Sequence, residues 1–290
     1  MLFKIVMRAL FVSLSMIFAV LTTAKSQSRL VFKDKFMYAD AQIHHEHKEH
    51  LISSLIDTGS SLCVIDSIFA IDSCGIKESA LEAAFVNQHK TKISITTIDS
   101  LFFCGKTYRK IRCVVADLSG IYQKYAPQFI IGANILKQGT WKFDMKNGII
   151  EPYDYKKKAE GIVYKWKNHR SYSDVALDYI VFEGTVCGKR TRFIFDTGTR
   201  NNRLPLNIYN GPVELIQKES ANIGNKLSIK TAKLCKDVQF RIGRNEFVLD
   251  FIIGDDKRFG FLNTEFLQGR SFILNYQKQR LEILLDSETR

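Results

Sequence analysis

Apolar residues in this chain occur in short runs separated by turn-forming residues. The runs that bear most on the fold lie at 51–56, 92–98, 101–104, 111–115, 129–131, 179–182, 191–195, 227–229, 247–253 and 280–285. Short runs between turn residues predict β-strands, because an amphipathic helix needs a longer stripe with a period near 3.6 residues. Helical patterns are confined to Glu78–Gln88 and to brief segments after Gly132 and Asn263. The sequence therefore predicts a mainly β fold.

The hydrophobic pattern also repeats along the chain. Leu55–Ser60 matches Ile194–Thr199 at an offset of 139 residues, and both segments carry Asp-Thr-Gly directly after an apolar run. Three weaker matches extend the repeat: Cys104–Lys106 with Ile242–Arg244, Cys113–Asp117 with Phe251–Asp255, and Ile130–Leu136 with Phe261–Leu267. The offset falls from 138 to 131 before the last match, so the loop Leu118–Gln128 is longer in the first copy.

A duplication of this length predicts two homologous β-barrel-like lobes with a cleft between them, where the Asp-Thr-Gly turns face each other about a pseudo-two-fold axis. We expect the first lobe at residues 28–153, a linker at 154–172 and the second lobe at 173–290. The chain then forms an intramolecular pseudo-dimer and is expected to be a monomer. Trp141 and Trp166, each in an apolar stretch, are expected to pack in the core or between the lobes rather than to line the cleft.

Residues 1–24 have the features of a secretory signal peptide. Lys4 and Arg8 give a positive start, Ala9–Val20 is apolar, and Thr22–Ala24 ends in small residues suited to cleavage. An uncleaved membrane anchor is the alternative, but the apolar run is short for a transmembrane helix. We expect an exported protein, periplasmic or extracellular, without a stable membrane span after cleavage and membrane-associated if the signal stays.

The formal charge is +12, and loss of Lys4 and Arg8 with the signal lowers it to +10. A basic protein can bind nucleic acid when its positive charge is concentrated on one face. The densest basic runs, Lys156–Lys158 and Lys165–Arg170, fall in the expected linker and have no nucleic-acid motif beside them. We therefore expect a solvated linker and no nucleic-acid partner.

Six cysteines lie in the part expected to be exported, where disulfides can form. Cys104 and Cys113 flank a turn-like segment and either face each other across a hairpin or stay as buried thiols. No Cys-x-x-Cys pair or nearby Cys/His pair has the spacing of zinc ligands. The histidine-rich residues 44–50 could bind a metal, but their place just before a strand favours a solvated hairpin turn. The sequence predicts neither a metal nor a cofactor.

Two Asp-Thr-Gly turns suit the activation of one water molecule by two carboxyl groups. Carboxyl groups about 3 Å apart cannot both ionise cheaply, so Asp57 and Asp196 are expected to share one proton. The ionised carboxylate takes a proton from water, while the protonated carboxyl polarises the substrate carbonyl. The turn residues are expected to help: glycines allow close approach, hydroxyl residues after them donate to the outer carboxylate oxygens, and threonines brace the turns against each other. These supporting residues are Gly59, Gly198, Ser60, Thr199, Thr58 and Thr197.

These motifs resemble the aspartic protease clan. The shared features are two apolar residues, Asp-Thr-Gly, a hydroxyl residue and, some 75 positions later, Ile130–Gly132. Ile130–Leu136 is particularly similar to retropepsins, whereas two lobes in one chain are similar to pepsin. The best match is the group of bacterial retropepsin-like aspartyl proteases with two such domains. The resemblance covers nearly all of the expected mature chain and implies metal-free hydrolysis of peptide or protein substrates.

Two features depart from the family pattern. Asn263 stands where the second copy should have a glycine, with Gly260 nearby. No segment has the tyrosine and glycine that mark a pepsin-type flap, and a hairpin containing Thr96–Ser100 is the candidate. The alternative function is a catalytically inactive bilobed peptide-binding protein of the same fold. Both aspartates, both glycines and both hydroxyl residues are present, which favours the enzyme.

Overall fold

The computed structural model describes residues 26–76, 80–86, 89–122, 125–154, 161–166, 178–220 and 228–285. The signal-like segment 1–24 and most of the basic residues of the expected linker lie outside these ranges. The prediction of a mainly β fold is confirmed, because strands dominate and form two sheets. Among the described residues, no helix is long and apolar enough to cross a membrane.

The strands of the described chain are short in most cases, with two long exceptions, β6 and β16. They are β1 (Ser28–Lys33), β2 (Phe36–His45), β3 (Lys48–Ile56), β4 (Cys63–Asp66), β5 (Ala80–Val86), β6 (His89–Phe103), β7 (Lys106–Ala116), β8 (Phe129–Ile131), β9 (Thr140–Asp144), β10 (Ile149–Pro152), β11 (Gly161–Lys165), β12 (Ile180–Val186), β13 (Lys189–Phe195), β14 (Arg203–Leu204), β15 (Glu214–Ser220), β16 (Ser228–Ile242), β17 (Asn245–Ile253), β18 (Phe259–Leu262), β19 (Phe272–Asn275) and β20 (Arg280–Leu284).

The described helical segments are single turns or little more. They are a π-helical turn at Phe69–Ser73, α-helical turns at Ser119–Tyr122 and Ala133–Leu136, and a 3₁₀ turn at Thr264–Leu267. The last two are the helices predicted after Gly132 and Asn263, so those predictions are confirmed.

The helix predicted at Glu78–Gln88 is wrong. Residues Ala80–Val86 form β5 and pair antiparallel with β6, from Ala80 opposite Ile95 to Val86 opposite His89. The alanines and the glutamate in this segment favour helix locally, but helix propensity is a weak preference that tertiary pairing overrides. The long strand β6 offers a free edge here, and β5 uses it.

The two halves of the chain, residues 28–152 and 178–285, form the same ring of strands. In the first half the order β2-β3-β8-β4-β7-β6 closes because β6 also pairs with β2. In the second half the order β12-β13-β18-β14-β17-β16 closes because β16 also pairs with β12. In both rings the strand before Asp-Thr-Gly pairs in parallel with a later strand, β3 with β8 and β13 with β18. The repeat in sequence is therefore a repeat in topology.

An antiparallel run of strands, β11-β20-β19-β9-β10-β1, joins the two halves. Its central contact is between β9 and β19, where Phe143 pairs with Phe272. The phenyl rings of these two residues stack with their centroids 4.3 Å apart. Strand β11 falls inside the segment expected to be a linker and pairs with β20 along its whole length. Part of that segment is therefore a strand of the sheet that connects the halves.

The main apolar cluster of the core has members in both halves, and two smaller clusters lie apart from it. Trp141 and Trp166 belong to the main cluster, with only 2% and 4% of their surface exposed, so the prediction that they pack in the core or between the lobes is confirmed. The Trp166 ring lies edge-on to Phe182 and Tyr276. The Trp141 ring packs against Phe103 of the first half instead, so each tryptophan fills the core of one half.

All six cysteine thiols are free, and all except Cys187 are buried. Cys104 lies in the turn between β6 and β7, whereas Cys113 pairs with Thr96 in β6, so these two cysteines do not face each other across the hairpin. Burial, above all, raises the pKa of Cys104 to about 12. Of the two alternatives left open by the sequence, the structure has the buried thiols.

Candidate active site

The two Asp-Thr-Gly turns occupy equivalent positions, directly after β3 and β13. The backbone N–H of Asp57 donates to Ile131 O of β8 at 3.0 Å, and the N–H of Asp196 donates to Leu262 O of β18 at 2.8 Å. Each aspartate is thus fixed where a parallel strand pair ends. Because the parallel pairing is repeated in the two rings, the same backbone geometry presents both carboxyl groups.

The structure brings Asp57 and Asp196 together. The two carboxyl groups are hydrogen bonded to each other. A Cβ atom on Gly59 would lie 2.4 Å from Asp196 Cγ, and one on Gly198 would lie 2.4 Å from Asp57 Cγ. Real Cβ atoms do not approach so closely, so each glycine leaves the space that the opposite carboxyl group fills. We call Asp57 and Asp196 the aspartate pair.

Thr58 and Thr197 brace the two turns from beneath, as the sequence predicted. Thr58 Oγ1 donates to Phe195 O at 2.8 Å, and Thr197 Oγ1 donates to Ile56 O at 2.7 Å. Each hydroxyl oxygen also accepts a hydrogen bond from the backbone N–H of the other threonine, both at 3.1 Å. Both side chains are buried, so these four bonds have little competition from water.

Backbone N–H groups, rather than hydroxyl groups, hold the carboxylates. The Gly59 N–H donates to Asp57 Oδ1 at 2.8 Å, and the Gly198 N–H donates to Asp196 Oδ1 at 2.9 Å. Each carboxylate is therefore held by the glycine N–H of its own turn.

The hydroxyl groups of Ser60 and Thr199 do not donate to the aspartates, contrary to expectation. Ser60 Oγ donates to Leu62 O at 2.6 Å, and Thr199 Oγ1 donates to Asn201 O at 3.5 Å. A hydroxyl that bonds the carbonyl two residues on closes a small local turn. Ser60 and Thr199 thus shape the chain that follows each aspartate.

The electrostatics of the pair favour one shared proton. Burial and the negative charge of Asp196 raise the pKa of Asp57 well above its ordinary value. Burial also raises the pKa of Asp196, but the Gly198 N–H, the Arg203 charge and the bond from Asp57 all lower it. The two carboxyl groups therefore titrate as a pair, and the state with a single shared proton is favoured.

An apolar surface flanks the pair on each side. Successive side chains of a strand point to opposite sides, and Ile56 at the end of β3 points into the core. Leu55 and Asp57, on either side of Ile56, therefore point to the other side, where Leu55 belongs to a second apolar cluster. The first face comprises buried residues around Leu55, namely Phe36, Tyr38, Leu55, Val64 and Ile130. The second face is its equivalent around Ile194, namely Val181, Ile194 and Phe259 with the half-buried Tyr179 and Phe261.

The long loop of the first copy covers the first face. Leu118 and Tyr122 of this loop are buried among the residues of the face, and the Tyr122 ring meets Phe36 edge-on at 5.3 Å between centroids. The Tyr38 hydroxyl donates to Tyr125 O, which ties the loop down further. Burial raises the pKa of Tyr122, and the negative charges of Asp57 and Asp196 raise it further. The Tyr122 hydroxyl is therefore within electrostatic range of the aspartate pair.

Sequence reasoning missed this cover, although it recognised the extra length of Leu118–Gln128. The signal was present in the composition, because the loop contains four large apolar or aromatic residues that a solvated loop would not need, namely Leu118, Ile121, Tyr122 and Tyr125. Tyr179 on the second face has a pKa raised to about 12 by burial and then by the charges of Asp196 and Asp57. Both faces therefore adjoin the same carboxyl groups.

Asn263 is accommodated without a glycine. At the equivalent Gly132 a Cβ would lie 2.4 Å from Leu62 O, so the first half requires glycine there. In the second half the buried Asn263 side chain donates from Nδ2 to Arg200 O at 2.7 Å and accepts from the Glu265 N–H at 2.9 Å. The loop after Thr199 leaves room for this amide and supplies a bonding partner.

Two further sequence predictions have clear outcomes in the structure. The histidine-rich residues 44–50 form the ends and the turn of the β2–β3 hairpin, as expected. A hairpin does contain Thr96–Ser100, because the segment lies within β6 and pairs with β7, and its role as a flap stays a prediction. Within the ranges that the structure describes, no group of three or more His, Cys, Asp or Glu side chains is placed to hold a metal ion.

Arg203 is the other residue of this site that sequence reasoning missed. It lies on β14, a strand of two residues that is too short to give a readable hydrophobic pattern. Its charge acts on Asp196, which places it among the groups that set the protonation of the pair.

Comparison of the chain with models of known protein families and with curated proteins finds no match.

Proposed function

We propose that this chain is an aspartic endopeptidase with the bilobed fold of that clan, in which each ring of strands is one lobe and the aspartate pair lies in the cleft between them. The observation that carries the proposal is the pair itself. Two half-buried carboxyl groups are hydrogen bonded to each other at the ends of two equivalent strands, and no salt bridge to the described chain neutralises them. Such an arrangement is costly to build for stability alone, because each carboxyl raises the cost of ionising the other.

A single proton shared by the pair supplies the chemistry of amide hydrolysis, and in the proposed cycle Asp57 starts with that proton while Asp196 starts ionised. The Asp196 carboxylate takes a proton from a water molecule held between the two side chains, and the water oxygen attacks the substrate carbonyl carbon. Protonated Asp57 gives its proton to the carbonyl oxygen, so a neutral tetrahedral diol forms. When the C–N bond breaks, the nitrogen takes the proton now held by Asp196, and a diol hydroxyl returns a proton to Asp57. The pair ends with the single proton it began with.

A peptide or protein is the substrate class that fits the surroundings of the pair. The second face, with its half-buried Tyr179 and Phe261, offers apolar contacts to a substrate side chain next to the cleaved bond. Both carboxyl groups come from one chain, which supports a monomer. Export to the periplasm or the extracellular space remains part of the proposal, since residues 1–24 lie outside the described residues.

The test is cleavage of a diverse peptide pool by the purified protein between pH 3 and pH 8, read by mass spectrometry. Asp57→Asn and Asp196→Asn are each expected to lower the rate by at least about a hundredfold, the typical worth of a general acid or base. Asp72→Asn makes the same chemical change at an exposed position and should leave the rate unchanged.

Peptide binding without hydrolysis by the wild-type protein would favour the alternative, an inactive peptide-binding protein. Hydrolysis that survives in either Asn variant at more than about a tenth of the wild-type rate would remove that aspartate from its assigned role.

A further inference from the structure

We propose that the second face binds an acidic side chain of the substrate through Arg203, with Lys218 adding positive charge. The proposal rests on the proposed function and names a substrate preference for the same site. It makes the two sides of the cleft chemically different, although the two rings have the same topology.

Strand alternation puts Arg203 on the second face. Its neighbour Leu204 is completely buried in the core, so the Arg203 side chain points to the opposite side of β14. Arg203 pairs with Phe261 of β18, and its guanidinium lies over the Phe261 ring at 5.5 Å. Phe261 belongs to the second face beside Ile194.

The equivalent residue of the first half is apolar. Val64 of β4 pairs with Ile130 of β8 as Arg203 pairs with Phe261, and Val64 is fully enclosed by the first face. An aliphatic residue is therefore sufficient to build this position of the ring. The first half, whose face is covered by its own loop, has no cation at the position that corresponds to Arg203.

The guanidinium of Arg203 has unused bonding capacity. Its Nε is buried without a hydrogen-bond partner in the described chain. Arg203 is close enough to the aspartate pair for its positive charge to lower the pKa of Asp196. Neither carboxyl group of the pair accepts a hydrogen bond from Arg203 Nε. A buried donor without a partner costs free energy, and a carboxylate matches the planar fork of a guanidinium in both charge and geometry.

Lys218 makes the surroundings of Arg203 more positive. Burial and the charges of Arg203 and Lys230 lower the pKa of Lys218, while Asp255 acts in the opposite direction. Lys218 and Lys230 also lie directly opposite each other in the pairing of β15 with β16, an arrangement that like charges destabilise. Lys218 is thus a second cation within electrostatic range of Arg203, and an anionic side chain would offset the repulsion between the two.

The experiment compares matched peptides that differ only in Glu or Gln at one position near the cleaved bond. Peptides cleaved from a diverse pool identify the bond, and synthetic pairs then give kcat/KM for each position. We expect one position at which the Glu peptide is cleaved about ten to a hundred times faster than the Gln peptide, the range for one hydrogen bond to a charged group.

Arg203→Gln should reduce that ratio to about one, and Arg203→Lys should restore part of it. Lys218→Gln should lower the ratio by a smaller factor. Arg241→Gln is the matched control, because it removes the same charge from an exposed strand position of the same half. Thermal unfolding of each variant shows that it is folded, and binding of the same peptides to the unmodified protein by calorimetry provides a readout independent of hydrolysis.

Equal cleavage of Glu and Gln peptides at every position overturns the inference and leaves the proposed function intact. The inference is also overturned if Arg203→Gln lowers kcat/KM by the same factor for the Glu and the Gln peptide. Arg203 would then act only on the aspartate pair. Failure to cleave any peptide, with tighter binding of Glu peptides that Arg203→Gln abolishes, overturns hydrolysis but supports the acidic subsite. Neither cleavage nor preferential binding overturns both.

Discussion

Thr58 and Thr197 each donate a side-chain hydrogen bond to the opposite half of the chain and each accept one from the other's backbone N–H. The two threonines are 139 residues apart and buried. Their bonds connect the ends of β3 and β13 directly, so the distance between the two carboxyl groups is set by backbone atoms rather than by the flexible side chains around them.

Replacing either threonine should therefore weaken the joint between the halves. Thr58→Val keeps the shape but leaves Phe195 O and the Thr197 N–H without partners, which should cost about 2–4 kcal/mol of unfolding free energy. Thr58→Ser keeps the hydroxyl and should cost much less. Urea denaturation measures the difference, with Thr107→Val as an exposed strand control. A Val variant as stable as the control would show that the bracing bonds contribute little.

The raised pKa of Asp57 should appear as a pH dependence of stability. An acid whose pKa is higher in the folded than in the unfolded state keeps its proton longer when folded. Folding then becomes less favourable as the pH rises from the unfolded pKa near 4 towards the folded pKa. Asp57→Asn removes this penalty, so the variant should be more stable than wild type at pH 7, and the gap should close below about pH 4.

Thermal unfolding of both proteins across this range measures the effect. Asp72→Asn, at an exposed position, should follow the wild-type curve throughout. An Asp57→Asn variant that is less stable than wild type at pH 7 would contradict the assignment of a strained, shared proton to the pair.

Asn263 and Gly132 occupy equivalent positions, but exchanging asparagine and glycine at either position should destabilise the protein. Asn263→Gly deletes the amide that bonds Arg200 O and the Glu265 N–H, and should cost about 1–3 kcal/mol of stability even though it introduces the residue found at the equivalent position of the first half. Gly132→Asn forces a Cβ against Leu62 O and should impair folding more severely. Chemical denaturation ranks the two variants. Stabilisation by Asn263→Gly would show instead that Asn263 is a flaw in the second half.

The features that could be predicted from sequence are those that repeat or have a regular period. The short apolar runs that end at Ile56 and Phe195 predicted strands, and the two Asp-Thr-Gly turns that follow them predicted the duplication and the members of the pair. Local propensity failed at Ala80–Val86, because the free edge of β6 decides the structure there and lies outside the segment. Sequence could say which residues repeat, but not which edges remain to be paired.

The features that sequence missed depend on contacts between distant segments. Tyr122 reaches the first face only because its loop folds back over Phe36, and no short-range pattern records that path. Arg203 faces the aspartate pair because the two-residue strand β14 pairs with both β17 and β18. The hydroxyl groups of Ser60 and Thr199 were assigned to the carboxylates because backbone donors cannot be read from side-chain identity.

Gly59 and Gly198 provide the sharpest test of how the pair is built. Gly59→Ala places a methyl group 2.4 Å from the position of Asp196 Cγ, and neither a half-buried carboxyl nor the turn behind it can yield easily. The carboxyl groups should separate, their mutual hydrogen bond should break, and stability should fall by about 1–3 kcal/mol. Gly198→Ala should act in the same way on Asp57. Hydrolysis should fall by at least about a hundredfold, because proton exchange within the pair depends on contact.

Gly120→Ala is the matched control, since a Cβ there meets no atom within 4 Å and the residue lies in a helical turn. It should leave both stability and hydrolysis near wild type. The pH titration of the pair, followed by carboxyl carbon NMR of Asp-labelled protein, separates a local effect from general unfolding. In folded Gly59→Ala protein the two carboxyl groups should titrate closer together than in wild type, because their separation weakens the coupling that drives the two pKa values apart. An unchanged titration with unchanged hydrolysis would mean that the close approach at the two glycines is not required.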